Sequence, residues 1–335
     1  VVLFAGGYDT GQDNRSFRED SVGNAIFMVD LADGELIWSA GNDNSHDLNL
    51  ERMRFSIPGG LALLDVDEDG NTDRLYFGDM GGQLWRLDVR NGQSVSNLAD
   101  GGVLASLGAA DLGNSPPARE VRRFYNTPDV VPVLTNSKFF FAINIGSGYR
   151  AHPLDSDANE QFFSVRDFNP LAVLSADDFA TPFTVDQLID VTTNVNAVVD
   201  QFDAGWRLQL VRGAGEKSLS ESVTFANTVF FTSFQPGNID NTCGPSDGFN
   251  RVYQVDIRNG RPQTNLDNSI DDDELTETDR FITLRQGGIA PRPVFLFPEA
   301  LPPGEGPIVL SGTERVTNDP TGSIVRSFWL QREQP

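Results

Sequence analysis

The sequence predicts an all-β fold assembled from repeated units of short strands, and three observations carry that reading. One phrase recurs: an alternating strand, an Asp, and a polar turn closed by Gly. It reads GNAIFMVDLADG at residues 23–34, GGQLWRLDVRNG at 81–92 and NRVYQVDIRNG at 250–260, with looser copies at 161–167 and 324–330. Asp and Gly supply the dihedrals that let such a strand turn back as a hairpin. The composition is turn-rich, with 32 Gly and 19 Pro, and no long segment carries helical periodicity. The length of 335 residues suits a single domain of about seven units of about 40–45 residues each. Together these observations predict a modified β-propeller of about seven blades spanning residues 1–335.

The elements follow in order. Residues 1–5 are an apolar strand, followed by a Gly-Gly turn and a polar loop to Asp20. The first repeat phrase and its return strand end at Trp38, and 41–50 is a polar, solvated turn. A blade spans about 55–95, and strands are expected at 129–134 and 139–145. The glycine-bearing stretches 146–150 and 213–218 lack the spacing and following helix of a phosphate-binding loop, so both read as structural turns. Residues 169–201 form an irregular insertion, a natural place for partner contacts, with a short helix at 184–190. Strands are expected within 206–211 and 223–232, then at 281–284, 294–297, 308–311 and 324–330.

Inside the 55–95 unit, Asp65, Asp67, Asp69, Gly70 and Asp73 stand in the pattern D-x-D-x-D-G-x-x-D. Carboxylates at every second position of a tight loop converge on one point, and the Gly permits the turn around an ion, the chemistry of a Ca²⁺ site. Asn71 adds its backbone carbonyl at the seventh position, and Asp73 ligates directly or through water. The twelfth position, Glu in an EF-hand, is Tyr76, and the flanks 61–64 and 74–77 are apolar runs of strand length. The expectation is therefore an EF-hand-like calcium loop between strands, with Asp65, Asp67, Asp69, Asn71 and Asp73 as metal ligands. The acidic stretch 265–279 lacks a loop motif and reads as a solvated excursion rather than a second ion site.

Net charge is −23, from 25 basic and 48 acidic residues, a field that repels phosphate backbones and anionic lipid. Neither nucleic-acid binding nor membrane insertion is expected; no run of 18 apolar residues occurs. One cysteine, Cys243, and two histidines exclude an internal disulfide and argue against a zinc site or a His-based triad. Cys243 is left to pair outside this chain. The chain starts at Val1 and reads as part of a longer, exported protein.

Taken together, VVLFAGGYD, GNAIFMVDLADGELIW, DVDEDGNTDRLYFGDMGGQLWRLDV, RRFYNTPDVV, INIGSGYRAHPL, VFFTSFQPG and RVYQVDIRNG resemble the C-terminal propeller domain of the type IV pilus biogenesis and tip-adhesin family, the PilY/PilC-type proteins. The pieces run from residue 1 to 260 in the family's order; the calcium stretch running into G-D-x-G-G-x-L-W-R-x-D is the specific part. The resemblance implies a modified seven-bladed propeller and a fimbrial protein of the cell surface, pilus tip or outer membrane. It also implies a role in pilus assembly, retraction control, twitching motility and adhesion. Minor pilin components and the protein's own N-terminal region are the implied partners, with a host or abiotic surface beyond them. The family's ligands carry over to Asp65, Asp67, Asp69, Asn71 and Asp73.

Two other classes share features with the chain. Asp30 to Trp38 resembles the blade repeat of quinoprotein dehydrogenases, but one copy alone has that Trp in register, and the adjacent cysteine pair of many such enzymes is missing. An integrin-type calcium propeller would repeat the Asp loop in several blades, whereas this chain has one good copy. A non-enzymatic role is expected.

Overall fold

The computed structural model describes residues 1–14, 16–135, 138–237, 248–267, 274–297 and 307–316. Among these residues the secondary structure is β, broken only by short 3₁₀ turns, and no helix is long and apolar enough to cross a membrane. Five sheets form, each a meander of strands in chain order. The first holds β1 (Val2–Ala5), β2 (Ile26–Val29) and β3 (Leu36–Gly41), and the second β5 (Ala62–Leu64), β6 (Arg74–Gly78), β7 (Gln83–Val89) and β8 (Ala99–Ser106). The third holds β9 (Asp129–Leu134), β10 (Phe139–Gly146), β11 (Gln161–Asp167) and β14 (Gly205–Gln209). The fourth holds β15 (Val223–Phe225), β16 (Thr228–Gln235), β17 (Phe249–Asp256) and β18 (Phe281–Leu284), and the fifth β19 (Val294–Leu296), β20 (Ile308–Ser311) and β21 (Glu314–Val316). About seven units were expected; the strand expected at 324–330 lies outside the described residues.

Three two-residue strands add parallel edges: β4 (Leu48–Asn49) on β3, β12 (Phe183–Thr184) on β8, and β13 (Ile189–Asp190) on β14. The last two come from the irregular 169–201 segment, which thus joins the outer edges of the second and third sheets. Within it, the expected helix at 184–190 is a correction. Thr184 caps only a three-residue 3₁₀ turn, Val185–Gln187, because β13 begins at Ile189 and extends the chain.

Period-2 alternation explains how the sheets pack. On the second sheet Leu75, Phe77, Trp85 and Leu87 face Ile26, Met28 and Trp38 of the first. Their alternates Tyr76 and Leu84 pack with Phe141, Ile143 and Phe163 of the third. The third meets the fourth through Phe162, Trp206, Phe231 and Tyr253, and the fourth meets the fifth through Phe230, Val252 and Val309. The sheets therefore stack in chain order. A sheet covered on both faces is buried at consecutive residues, which is why all of Gln83–Val89 and Gln161–Asp167 is buried. Phe162 and Phe231 stack at 3.8 Å across one interface, and burying each such side chain stabilises the fold by about 1.5–3 kcal/mol.

The repeat phrase works as turn chemistry. Asp30 Oδ1 accepts from Ala32 N at 2.7 Å, and Asp256 Oδ1 accepts from Arg258 N at 2.8 Å. Gly34 and Gly260 close those turns at φ 77° and 65°, a region costly for any side chain. Between β15 and β16 the turn residues Ala226 and Asn227 have φ of 49° and 64°, so the 223–232 stretch is a tight hairpin.

Candidate metal centre

The acidic loop links β5 to β6, whose pairing of Leu64 with Arg74 fixes its two ends. Asp73 N donates to Leu64 O at 2.8 Å, and Val89 N of β7 donates to Asp73 O at 2.8 Å. Gly70 at φ 88° and Glu68 at φ 63° make the reversal. Asp65, Asp67 and Asp73 then bring one carboxylate oxygen each to within 4.8 Å of one another. Backbone donors aim those groups: Gly70 N to Asp65 Oδ2 at 2.8 Å, Asp69 N to Asp67 Oδ1 at 3.1 Å, and Val66 N to Asp73 Oδ2 at 2.8 Å.

Three of the five expected ligands are therefore brought together. The Asp69 carboxylate, which is not among the three that converge, accepts from Asn71 N at 2.8 Å, and Asn71 lies on the exposed arm after Gly70. The set is all-oxygen and anionic, which fits a hard divalent cation such as Ca²⁺ rather than a thiolate- or imidazole-loving metal. The acidic stretch 265–279 was expected to be solvated, but Asp279 within it is fully buried. Asp279 is committed to Leu266 N at 3.1 Å and Thr276 N at 2.7 Å, Asp267 accepts from the Thr278 hydroxyl, and 268–273 lie outside the described residues, as does Cys243.

Tyr76, where an EF-hand has its Glu, points inward and donates to Asp167 Oδ2 at 2.6 Å. It joins a buried network that sequence reasoning missed. Arg86, fully buried, grips Asp88 through two bonds of 2.7 and 2.8 Å and Asp167 at 2.6 Å. Burial alone would lower the guanidinium pKa, but the Asp88 hydrogen bonds and the Asp167 charge raise it, so Arg86 stays charged. Arg86 also donates to Asn169 O and Ala172 O, and Arg74 to Pro170 O, Leu171 O, Ala172 O and Asp73 O. The start of the irregular segment offers carbonyls with no strand partner, and these arginines satisfy them. Arg74 thereby ties the acidic loop to that segment. The signal was present: two charged residues inside an otherwise apolar strand phrase, W-R-L-D.

The G-D-x-G-G-x-L-W motif is explained by Asp79. It is fully buried and accepts from Gly81 N, Gln83 N, Gln83 Nε2 and Trp85 Nε1 at 2.7–3.0 Å. Burial nevertheless pushes its carboxyl up to about 7.

An all-β stack of strand meanders defines a class of architecture, and a solved structure shares it. No protein-family model matches the chain. The fold is similar to the crystal structure of the Pseudomonas aeruginosa PilY1 C-terminal domain, with a TM-score of 0.59 and 16% identity, covering 94% of this chain and 68% of that one. In sequence the chain is 28% identical over 259 residues to a type IV pilus biogenesis factor, the PilY1 homolog of Xylella fastidiosa (strain Temecula1). That match covers 70% of this chain and spans 17% of the relative's length. The resemblance read from the motifs is borne out: the chain is similar to the PilY1-type C-terminal domain.

Proposed function

We propose that this chain is a calcium-binding, non-enzymatic propeller module of a type IV pilus biogenesis protein. In this reading it acts at the cell surface in pilus assembly, retraction control, twitching motility and adhesion, with minor pilin components and the N-terminal region of its own protein as partners. The observation that carries the calcium reading is the convergence of Asp65, Asp67 and Asp73 on one point. The likenesses to PilY1-type proteins support the pilus role. Sheets stacked in chain order support the propeller.

Bound Ca²⁺ would supply charge neutralisation for the clustered carboxylates. Asp65, Asp67 and Asp73 would hold it, with Asp69 and the Asn71 backbone carbonyl as the further oxygen ligands.

Calcium titration calorimetry after chelator treatment, beside Asp65→Ala, tests the reading. One site in the wild type, with an affinity between about 10⁻⁷ and 10⁻³ M and lost in the variant, is the expected result. At a hundredfold excess over the dissociation constant, calcium should stabilise the fold by about 2.7 kcal/mol. No binding, or several equal sites untouched by the substitution, sinks it.

A further inference from the structure

Two open cavities, of about 400 and 320 Å³, share Asn126 and Arg150 as a common wall. Their linings draw on all five sheets. Tyr8 follows β1, Pro58 precedes β5, Tyr125 and Asn126 precede β9, Ser220 and Glu221 precede β15, and Ala290 and Arg292 precede β19. A cleft built from the connecting segments of every sheet is a place where a ligand meets the whole assembly at once.

The cleft has specific chemistry. Asn126 Nδ2 is buried with no hydrogen-bond partner, and such a group is rare unless something outside the chain satisfies it. Arg150 is exposed, donates once to Leu219 O at 2.7 Å, and pairs with no carboxylate among the described residues. The two acids of the lining are already engaged. Asp13 accepts the Tyr8 hydroxyl at 2.8 Å, and Glu221 pairs with Arg292 at 2.7 Å. The unspent donors of Asn126 and Arg150 thus line one cleft, and beside them lie Pro58 and the rings of Tyr8 and Tyr125, 5.8 Å apart and tilted by 33°. Gly59 keeps Asn126 in place, since a Cβ there would come within 2.8 Å of the Asn126 backbone.

We propose that this cleft binds a carboxylate attached to a flat apolar group, the chemistry of a peptide C-terminus that ends in an aromatic residue. Arg150 holds the carboxylate as a charge-assisted pair, Asn126 completes it, and the tyrosine rings receive the aromatic side chain. The site is independent of the calcium loop. It gives the GSGYR turn, which has no role in the metal centre, a function through Arg150.

Saturation-transfer NMR on the whole chain tests this with N-acetylphenylalanine, its amide, and benzoate. The expected dissociation constant for N-acetylphenylalanine is of order 1 mM, with the amide weaker by about tenfold or more for want of the charged hydrogen bonds. Arg150→Gln, at an exposed side chain, and Asn126→Ala should each lose the preference for acid over amide without moving the thermal midpoint of Arg150→Gln. Equal binding of acid and amide to the wild type, no saturation transfer, or an effect of neither substitution overturns the site. Benzoate binding as tightly as N-acetylphenylalanine overturns the peptide assignment.

Discussion

Arg86→Met is the substitution that separates a packed charge network from decoration. The guanidinium is fully buried and makes five bonds of 2.6–3.0 Å, two to Asp88, one to Asp167, and two to the carbonyls of Asn169 and Ala172. Methionine keeps most of the volume, so the cavity term is small and the electrostatic term dominates. What remains is a buried Asp167 without its cation and an Asp88 left with Arg74 alone, 3.4 Å away, and breaking such a buried pair costs about 3–5 kcal/mol. For a chain of this length that is a fall in thermal midpoint of roughly 4–7 °C. Arg86→Lys should recover less than half of it, because an ammonium cannot reproduce the two-pronged grip on Asp88. Adding Asp88→Asn and Asp167→Asn to Arg86→Met should recover part of the loss by removing the stranded charges. The assay is thermal unfolding with amide hydrogen exchange across 169–174. A variant within about 1 kcal/mol of wild type, with unchanged exchange in that segment, refutes the argument.

Other predictions are read from single sites. Asp129 is partly buried and accepts the Thr224 hydroxyl at 2.5 Å; burial raises its carboxyl from 3.8 to about 6. A raised folded pKa means its contribution is full below the unfolded value and lost as pH climbs through the folded one, so stability falls between about pH 4 and 6. Asp129→Asn keeps the acceptor and removes the charge, so it should raise the midpoint at pH 7 and flatten that slope in urea titrations taken at several pH values. Gly34 sits at φ 77° with nothing within 4 Å of a Cβ. Gly34→Ala should therefore cost about 1–2 kcal/mol, all of it conformational, and a neutral result would mean the turn relaxes.

Much of the fold was legible because local chemistry and global packing agree. Residues 129–134, 161–167, 281–284 and 308–311 carry alternating or continuous apolar runs between turn residues, and they are the strands β9, β11, β18 and β20. The parallel edges β4, β12 and β13 were not legible, since two-residue pairings carry no period. The acidic loop was legible as a pattern of carboxylates, and its offsets bring Asp65, Asp67 and Asp73 together. That Asp69 lies outside this cluster was not, because its place in the pattern is equivalent to that of Asp67.

The arginine network shows why the rest stayed hidden. A charged residue in a strand ordinarily marks the solvent face, yet Arg74, Arg86 and Asp88 are buried. They are inside because the 169–174 segment lies over them and brings carbonyls that no strand satisfies. That covering contact joins residues about 80–100 positions apart, beyond any periodicity a sequence displays. The same contact connects the loop to the insertion: Arg74 bonds to Asp73 O at one end and to Pro170, Leu171 and Ala172 at the other. An event that shifts the backbone at Asp73 must therefore either stretch those bonds or carry the insertion with it, and with it the edge strands of two sheets.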